Sequence, residues 1–140
     1  MRPMYESAND LKNEAAVKGF IEDKHGVTLE KLPIKYRLDY AAFTDGLITS
    51  FIEVKCRTFE RNKYPSAMLS ADKFMAAHTL MSTFDLPAHL VVRWTDCVGL
   101  FQFRNADPAR YLSMGGRSDR GDAQDKDICV FIPVEAFTIL

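Results

Sequence analysis

Apolar residues near the start of the chain recur with the spacing of an amphipathic helix. The pattern runs from Leu11 to roughly Asp23, and Ser7 followed three residues later by Asp10 resembles a capping box. The apolar face of this helix consists of Val17, Phe20 and Ile21. Glu14 is in line with that face, so its carboxylate is predicted to project toward whatever the helix covers.

After this helix the pattern changes to that of strands. Thr28 to Lys35 is short and contains a proline, which predicts an edge strand. Leu38 to Thr44 and Leu47 to Thr58 flank Asp45-Gly46, a strong hairpin signal. The second of these segments, LITSFIEVKCRT, is rich in β-branched and aromatic residues. The three segments therefore predict an edge strand followed by a β-hairpin.

The second half of the chain predicts one more helix and three more strands. In order, the predictions are a loop over Arg57 to Ser66, a helix from an N-cap at Ser70 to Asp85, strands over His89 to Thr95 and Val98 to Phe103, an irregular segment over Asn105 to Asp127, and a strand over Ile128 to Pro133. The predicted order of elements is typical of α/β proteins: a helix, three strands, a helix, two strands, a loop and a strand. It predicts a mixed central sheet flanked by helices.

Bulk properties refine this picture only slightly. A chain of 140 residues with 47% hydrophobic and 26% charged residues predicts a single domain over residues 1–140. The sequence has no apolar run that could cross a bilayer and no apolar signal-peptide stretch near its start, so we expect a cytoplasmic protein without a membrane partner. A net charge of −1 argues mildly against non-specific DNA affinity, unless positive charge is gathered on one face.

Several kinds of chemistry are disfavoured by the residues that would carry them. The cysteines are odd in number and form no CxxC pair, and the histidines form no HxH or HExxH pair. These residues are Cys56, Cys97, Cys129, His25, His78 and His89. We therefore expect reduced thiols and structural histidines, and no zinc site. No serine or cysteine nucleophile motif and no glycine-rich nucleotide loop is present.

Acidic residues and a lysine around the hairpin suggest a different chemistry. Strand alternation places Glu53 and Lys55 on one face, and the hairpin brings Asp39 across from them. Glu14 of the first helix is positioned to complete the acidic cluster. Phosphodiester hydrolysis requires carboxylates that hold Mg²⁺ or Mn²⁺ and a fixed cation near the scissile phosphate. The hypothesis is therefore a metal-dependent hydrolase with its centre at these four residues.

The same residues carry a family resemblance. The stretch IKYRLDYAAFTDGLITSFIEVKCR resembles the D…ExK signature of the PD-(D/E)XK nuclease superfamily, with Asp39 as the first acid and Glu53-Val54-Lys55 as ExK. The element order is also similar to that superfamily's core, and the resemblance covers roughly Asp10 to Phe103. Small phage and archaeal Holliday junction resolvases are the most similar members, including a glutamate on the first helix at the position of Glu14. The proline that often precedes the first acid is Leu38 here.

This resemblance implies a restriction-endonuclease-like αβββαβ core and a Mg²⁺- or Mn²⁺-dependent DNA endonuclease. It further implies that the backbone carbonyl of Val54 helps bind metal and that Lys73 lies near the active site. A one-domain protein has little room to read sequence, which favours branched or structured DNA, and cutting both strands favours a homodimer. Basic loop residues that are candidates for contacts to the DNA backbone are Arg57, Arg61, Lys63, Arg117 and Arg120.

Three alternatives remain open from the sequence. The enzyme could be a restriction-like or DNA-end-processing nuclease on the same fold. The fold could also serve as a non-catalytic module that binds nucleic acid or protein, for which loss of a catalytic residue would be the sign. Finally, Glu53 and Lys55 could be an exposed charge row on a half-solvated sheet, with Lys73 and the basic loops merely solvated.

Overall fold

The computed structural model describes residues 8–105, 112–116 and 126–140. The helices and strands in these ranges are α1 (Ala8–His25), β1 (Thr28–Lys31), β2 (Tyr40–Thr44), β3 (Leu47–Cys56), β4 (Ser66–Ser70), α2 (Ala71–Phe84), β5 (Ala88–Arg93), β6 (Val98–Gln102), β7 (Leu112–Gly116), β8 (Lys126–Pro133) and β9 (Thr138–Ile139). Within this part of the chain, neither helix combines the length and apolar character that a bilayer crossing requires.

The main sheet has six strands in the order β1-β2-β3-β5-β6-β9. Strands β3 and β5 pair in parallel, and the other neighbouring strands pair antiparallel. The parallel pair is connected through α2, as a parallel connection requires a long crossover. A second, antiparallel sheet has the order β4-β8-β7. The predicted mixed central sheet is therefore confirmed.

The hairpin between β2 and β3 forms where the sequence predicts it. Asp45 and Gly46 both have positive φ, 52° and 78°, as the central residues of a type I′ turn require. The register pairs Tyr40 with Ile52 and shifts between Ala42 and Phe43. The turn and this register shift together fix which residues of β2 and β3 lie opposite each other near Asp39 and Glu53.

Apolar residues cover both faces of the main sheet. On one face α1 packs its buried residues against the hairpin and its neighbours, in a cluster of Val17, Ile21, Leu29, Tyr40, Ala42, Ile52, Val54 and Val91. On the other face Phe74, Ala77 and Leu80 of α2 join a larger cluster. That cluster includes Phe51 and Leu90 of the main sheet and residues of the second sheet. The sheet is thus flanked by a helix on each side.

Some predicted boundaries are wrong. The first strand ends at Lys31 rather than at residue 35, because Pro33 has no N–H for the ladder and instead precedes a 3-10 helix over Ile34–Tyr36. Ser70 does precede α2, but its hydroxyl donates to Asp127 Oδ2 at 3.0 Å and makes no capping hydrogen bond.

Short strands were missed where only a loop was predicted. β4 begins at the end of the predicted Arg57–Ser66 loop, β7 lies within the predicted irregular segment Asn105–Asp127, and β9 follows the last predicted strand. Each has two to five residues, too few for periodicity to be read. The capping box at Ser7 lies outside the described residues, as do Arg117 and Arg120.

Candidate active site

Asp39 lies immediately before β2 and completes the hydrogen bonding of β3. Its backbone N–H donates to the Ile52 carbonyl at 3.1 Å, and the next residue, Tyr40, is paired with Ile52, so Asp39 lies beside Glu53 just past the end of the pairing. One step further along β3, the Val54 N–H donates to Asp39 Oδ2 at 2.7 Å. The carboxylate therefore replaces the backbone acceptor that β2 no longer supplies at this point. This bond holds Asp39 in a fixed position beside the end of the hairpin.

Glu53 is the most deeply buried charged residue of the described chain, with 1% exposure. Burial, and to a lesser extent the nearby Asp39 carboxylate, raise the pKa of Glu53 from its ordinary 4.5 to about 7, against the opposing effect of Lys55 and Lys73. Among the described residues, its Oε1 atom has no hydrogen-bond partner. A buried carboxylate with an oxygen that makes no hydrogen bond is costly to stability, which is typical of a residue with a functional role.

Two lysines flank Glu53 from different elements. Lys55 lies two residues further along β3 on the same face, with its Nζ atom 3.4 Å from Glu53 Oε2. Lys73 is in the first turn of α2, with its Nζ atom 3.4 Å from Glu53 Oε1. A positive side chain is unfavourable in the first turn of a helix, where the helix dipole is also positive. Lys73 is thus held there by Glu53 and the Arg37 carbonyl and not by the helix dipole.

Glu14 reaches the same region from α1, on the inner face that its spacing predicts. Its carboxylate accepts a hydrogen bond from the ammonium of Lys31, on β1. The same Lys31 Nζ atom lies 3.6 Å from Asp39 Oδ1. Lys31 therefore joins Glu14 to Asp39 across the edge of the sheet. Sequence analysis missed Lys31, since its approach depends on the pairing of β1 with β2, for which the chain has no short turn signal.

A second residue missed by sequence analysis is Arg37, which precedes Asp39 by two residues. It has φ of 68°, a left-handed conformation that costs a non-glycine residue about 1–2 kcal/mol. Its carbonyl accepts a hydrogen bond from Lys73, and its guanidinium pairs with Asp72. Arg37 thus ties the loop before Asp39 to the first turn of α2. Because arginine is not a typical left-handed residue, no sequence pattern signals this role.

The donor set is suited to a hard divalent cation. Within the described residues, no group of three or more histidine, cysteine, aspartate or glutamate side chains is arranged to hold a metal ion. Asp39 and Glu53 nevertheless adjoin each other, and the buried Oε1 atom of Glu53 makes an ion pair with Lys73 but no hydrogen bond with any described residue. Mg²⁺ commonly uses only one or two protein carboxylates and keeps several waters. The residues present therefore fit Mg²⁺ or Mn²⁺ at this pair, with Glu14 nearby.

The basic loop residues make contacts within their own chain. The Arg57 guanidinium donates to the Met68 carbonyl at 3.0 Å. The Arg61 guanidinium donates to the Val134 carbonyl at 2.8 Å. Lys63 lies over the Tyr64 ring, 5.9 Å from its centroid. These contacts stabilise the loop after β3 and do not bring its cations to Glu53, so a role in DNA binding stays a prediction for them.

The raised pKa of Glu53 gives a prediction for the metal-free protein. Between pH 4.5 and about 7 the folded protein retains a proton on Glu53 that the unfolded chain has lost. The contribution of Glu53 to the free energy of unfolding therefore falls by up to about 3 kcal/mol as pH rises through this window. Outside the window this contribution is constant. Urea unfolding in chelator should show that wild type loses stability relative to Glu53→Gln from pH 5 to pH 7. Parallel pH curves for the two proteins would contradict this.

The fold and the site together define a class of protein. A helix, three strands, a helix and a further strand around a mixed sheet, with Asp39 and Glu53-Val54-Lys55 on its hairpin, form a restriction-endonuclease-like core with the PD-(D/E)XK residues. Over residues 1–140 the sequence matches the family model described as "Phage putative PDDEXK endonuclease". The chain belongs to this endonuclease family, and the resemblance inferred from its sequence is confirmed.

Solved structures support the same fold. The chain is similar to Archaeoglobus fulgidus Hjc, a Holliday junction resolvase from an archaeal hyperthermophile, with a TM-score of 0.62 and 16% sequence identity. The similarity covers 95% of this chain and 93% of that chain. At this identity the likeness establishes the fold alone. No curated protein matches the sequence.

Proposed function

We propose that this chain is a metal-dependent DNA endonuclease that hydrolyses phosphodiester bonds in branched or otherwise structured DNA, as a Holliday junction resolvase does. The observation that carries the proposal is Glu53, a buried carboxylate with an unsatisfied oxygen, beside Asp39 and between two lysines. Family membership supports nuclease chemistry. The similarity to Hjc, named as a Holliday junction resolvase, favours structured DNA as the substrate.

In this proposal the carboxylates hold Mg²⁺ or Mn²⁺. Asp39 and Glu53 are the charged ligands, and Glu14 contributes from α1. The Val54 carbonyl is a further ligand, because in an extended strand it points to the same side as the Val54 N–H, which donates to Asp39. When bound, the cation supplies polarisation of the phosphate and acidification of a water molecule.

The lysines act on the phosphate. The Lys55 ammonium is fixed beside Glu53 and is in place to stabilise the negative charge that develops on the phosphate oxygens in the transition state. Lys73 is held by the Arg37 carbonyl on one side and Glu53 on the other, so it is oriented before substrate binds. Preorganised cations of this kind lower the barrier because they do not have to reorient during the reaction.

The assembly follows from the substrate. The described residues form one such centre, so symmetric cleavage of two strands at a junction requires two copies, and we propose a homodimer that acts on cytoplasmic DNA. Beyond the active centre, we propose that the DNA backbone is contacted by basic loop residues, which are Arg57, Arg61, Lys63, Arg117 and Arg120.

The alternatives are distinguished by what is cut. A non-catalytic binding module would be expected to have lost a catalytic residue, and Asp39, Glu53, Lys55 and Glu14 are all present. A cleavage assay on linear duplex, single-stranded and four-way-junction DNA distinguishes the proposed function from the two alternatives. Preferential, symmetric cleavage of the junction supports the proposal. Equal cleavage of linear duplex would favour a restriction-like or end-processing enzyme, and binding without cleavage would favour the module.

Metal dependence is a separate prediction. Junction cleavage should require Mg²⁺ or Mn²⁺ and should stop in excess chelator. Calcium should bind without supporting turnover, because it takes more ligands in looser geometry and acidifies bound water less. Calorimetric titration of Ca²⁺, run beside the cleavage assay, tests both parts. Full activity in chelator would contradict the mechanism.

A further inference from the structure

Lys31 occupies an unusual position among the acidic residues. Its Nζ atom donates to Glu14 and lies 3.6 Å from Asp39 Oδ1. The Glu14 side chain is 11% exposed, whereas that of Lys31 is 47% exposed. The lysine therefore reaches inward from solvent to hold two carboxylates, with its ammonium also over the Tyr40 ring at 5.3 Å from the centroid. Its stem is flexible, so the ammonium can move outward when a competing cation takes the carboxylates.

The local charges balance without any bound metal. The carboxylates of Glu14, Asp39 and Glu53 lie within 4 Å of the ammonium groups of Lys31, Lys55 or Lys73. A divalent cation that binds Asp39 and Glu14 must therefore compete with an ammonium already in place. Lys31 is the ammonium on those two carboxylates, and the other two lysines contact Glu53.

We propose that Lys31 couples metal binding to DNA binding. In the metal-free protein its ammonium holds Glu14 and Asp39 in position, and when a divalent cation takes these carboxylates the ammonium is released to a DNA phosphate. This inference rests on the proposed function. Because coupling between two ligands is reciprocal, the metal strengthens DNA binding and DNA strengthens metal binding by the same factor.

The three lysines differ in their freedom to make this move. Lys73 is bound to the Arg37 carbonyl as well as to Glu53, and its side chain is 19% exposed. Lys55 is 33% exposed and lies on the same strand as Glu53. Lys31 is the most exposed of the three and is on an edge strand of four residues, with solvent beside it. It is therefore the lysine best placed to exchange a carboxylate for a phosphate.

Metal affinity in the absence of DNA gives the first test. Lys31→Gln removes the competing charge, while its amide N–H can still donate to Glu14 and protect the fold. Titration calorimetry with Mn²⁺ should give a Kd about threefold to tenfold lower than wild type. Lys31→Arg keeps the charge and should bind Mn²⁺ as wild type does. The matched control is Lys18→Gln, which removes a lysine paired with Glu22 on α1 at 3.5 Å and should leave the Kd unchanged.

DNA affinity with and without Ca²⁺ gives the second test, by fluorescence anisotropy on a four-way junction. Wild type and Lys31→Arg should gain more affinity from Ca²⁺ than Lys31→Gln does, by about threefold or more. Equal Mn²⁺ affinity and equal Ca²⁺ gain in wild type and Lys31→Gln would overturn the inference and leave the proposed function standing. Failure of wild type to bind either metal would overturn both.

Discussion

Glu53→Gln is expected to reduce kcat for junction cleavage on the order of 10³-fold while the protein stays folded. The substitution removes a metal ligand charge and nearly preserves volume, so packing around the side chain survives. The neutral amide also ends the cost of burying a carboxylate whose pKa is raised to about 7. Thermal melting in chelator should therefore show equal or higher stability for the variant near neutral pH.

The matched control for this variant is Glu135→Gln. Glu135 is an exposed glutamate in the 3-10 helix Val134–Ala136, in the same chain but outside the acidic cluster. The Glu135→Gln protein should cleave junction DNA as wild type does. Junction binding by Glu53→Gln should persist or tighten, because a negative charge facing the phosphates has been removed. A folded Glu53→Gln protein that cleaves at the wild-type rate would refute the assignment of Glu53 as a metal ligand.

The hairpin explains why the centre of the site could be predicted from the sequence. Asp45-Gly46 is a local turn signal, and strand alternation is a local rule. Together they bring Asp39 close to Glu53 and place Lys55 on the face of Glu53. The exact alignment also depends on the register shift between Ala42 and Phe43, because an unshifted hairpin would pair Asp39 with Ile52. Glu14 was also predictable, because its place in line with Val17 and Ile21 follows from helix spacing alone.

The remainder of the site depends on contacts between distant segments. Lys31 reaches Asp39 only because β1 pairs with β2 in one register. The segment that connects these two strands contains a 3-10 helix, which the sequence pattern does not predict. Arg37 is held by residues 35 and 36 positions away in the sequence. The second sheet likewise pairs β4 with β8, whose residues lie about 60 positions apart. Local patterns contain no information about such pairings.

The burial of Glu53 is a property that the alternation of side chains along a strand does not predict. The pattern assigns Glu53 and Lys55 to one face but does not say whether that face is solvated, and an exposed charge row was a real alternative. The structure excludes it, because α2 and the second sheet cover this face and leave Glu53 with 1% exposure. Burial is what raises the pKa and leaves an oxygen unsatisfied, so the strongest observation about the site is a tertiary one.

Lys55→Ala is expected to abolish cleavage by a route different from that of Glu53→Gln, with kcat reduced about 10²- to 10³-fold. Two effects are combined in the variant. Lys55 can act directly on the phosphate, and it also lowers the pKa of Glu53. Its removal therefore raises the pKa of Glu53 beyond about 7, so that at neutral pH the carboxyl holds a proton that competes with the metal.

Raising the pH separates the two effects of Lys55. At pH 9, about two units above the pKa of about 7, Glu53 is ionised in wild type, and the higher pH also favours the ionised form in the variant, so a loss that acts only through protonation shrinks. If Lys55 stabilises the transition state directly, Lys55→Ala should bind Mn²⁺ and junction DNA at pH 9 but still cleave far below wild type. Lys18→Ala removes a lysine of α1 whose pair is Glu22, and it should cleave normally at both pH values. Recovery of wild-type kcat by Lys55→Ala at pH 9 would show that Lys55 only sets the charge of Glu53. Wild-type cleavage by the folded variant at neutral pH would leave Lys55 with no part in the reaction.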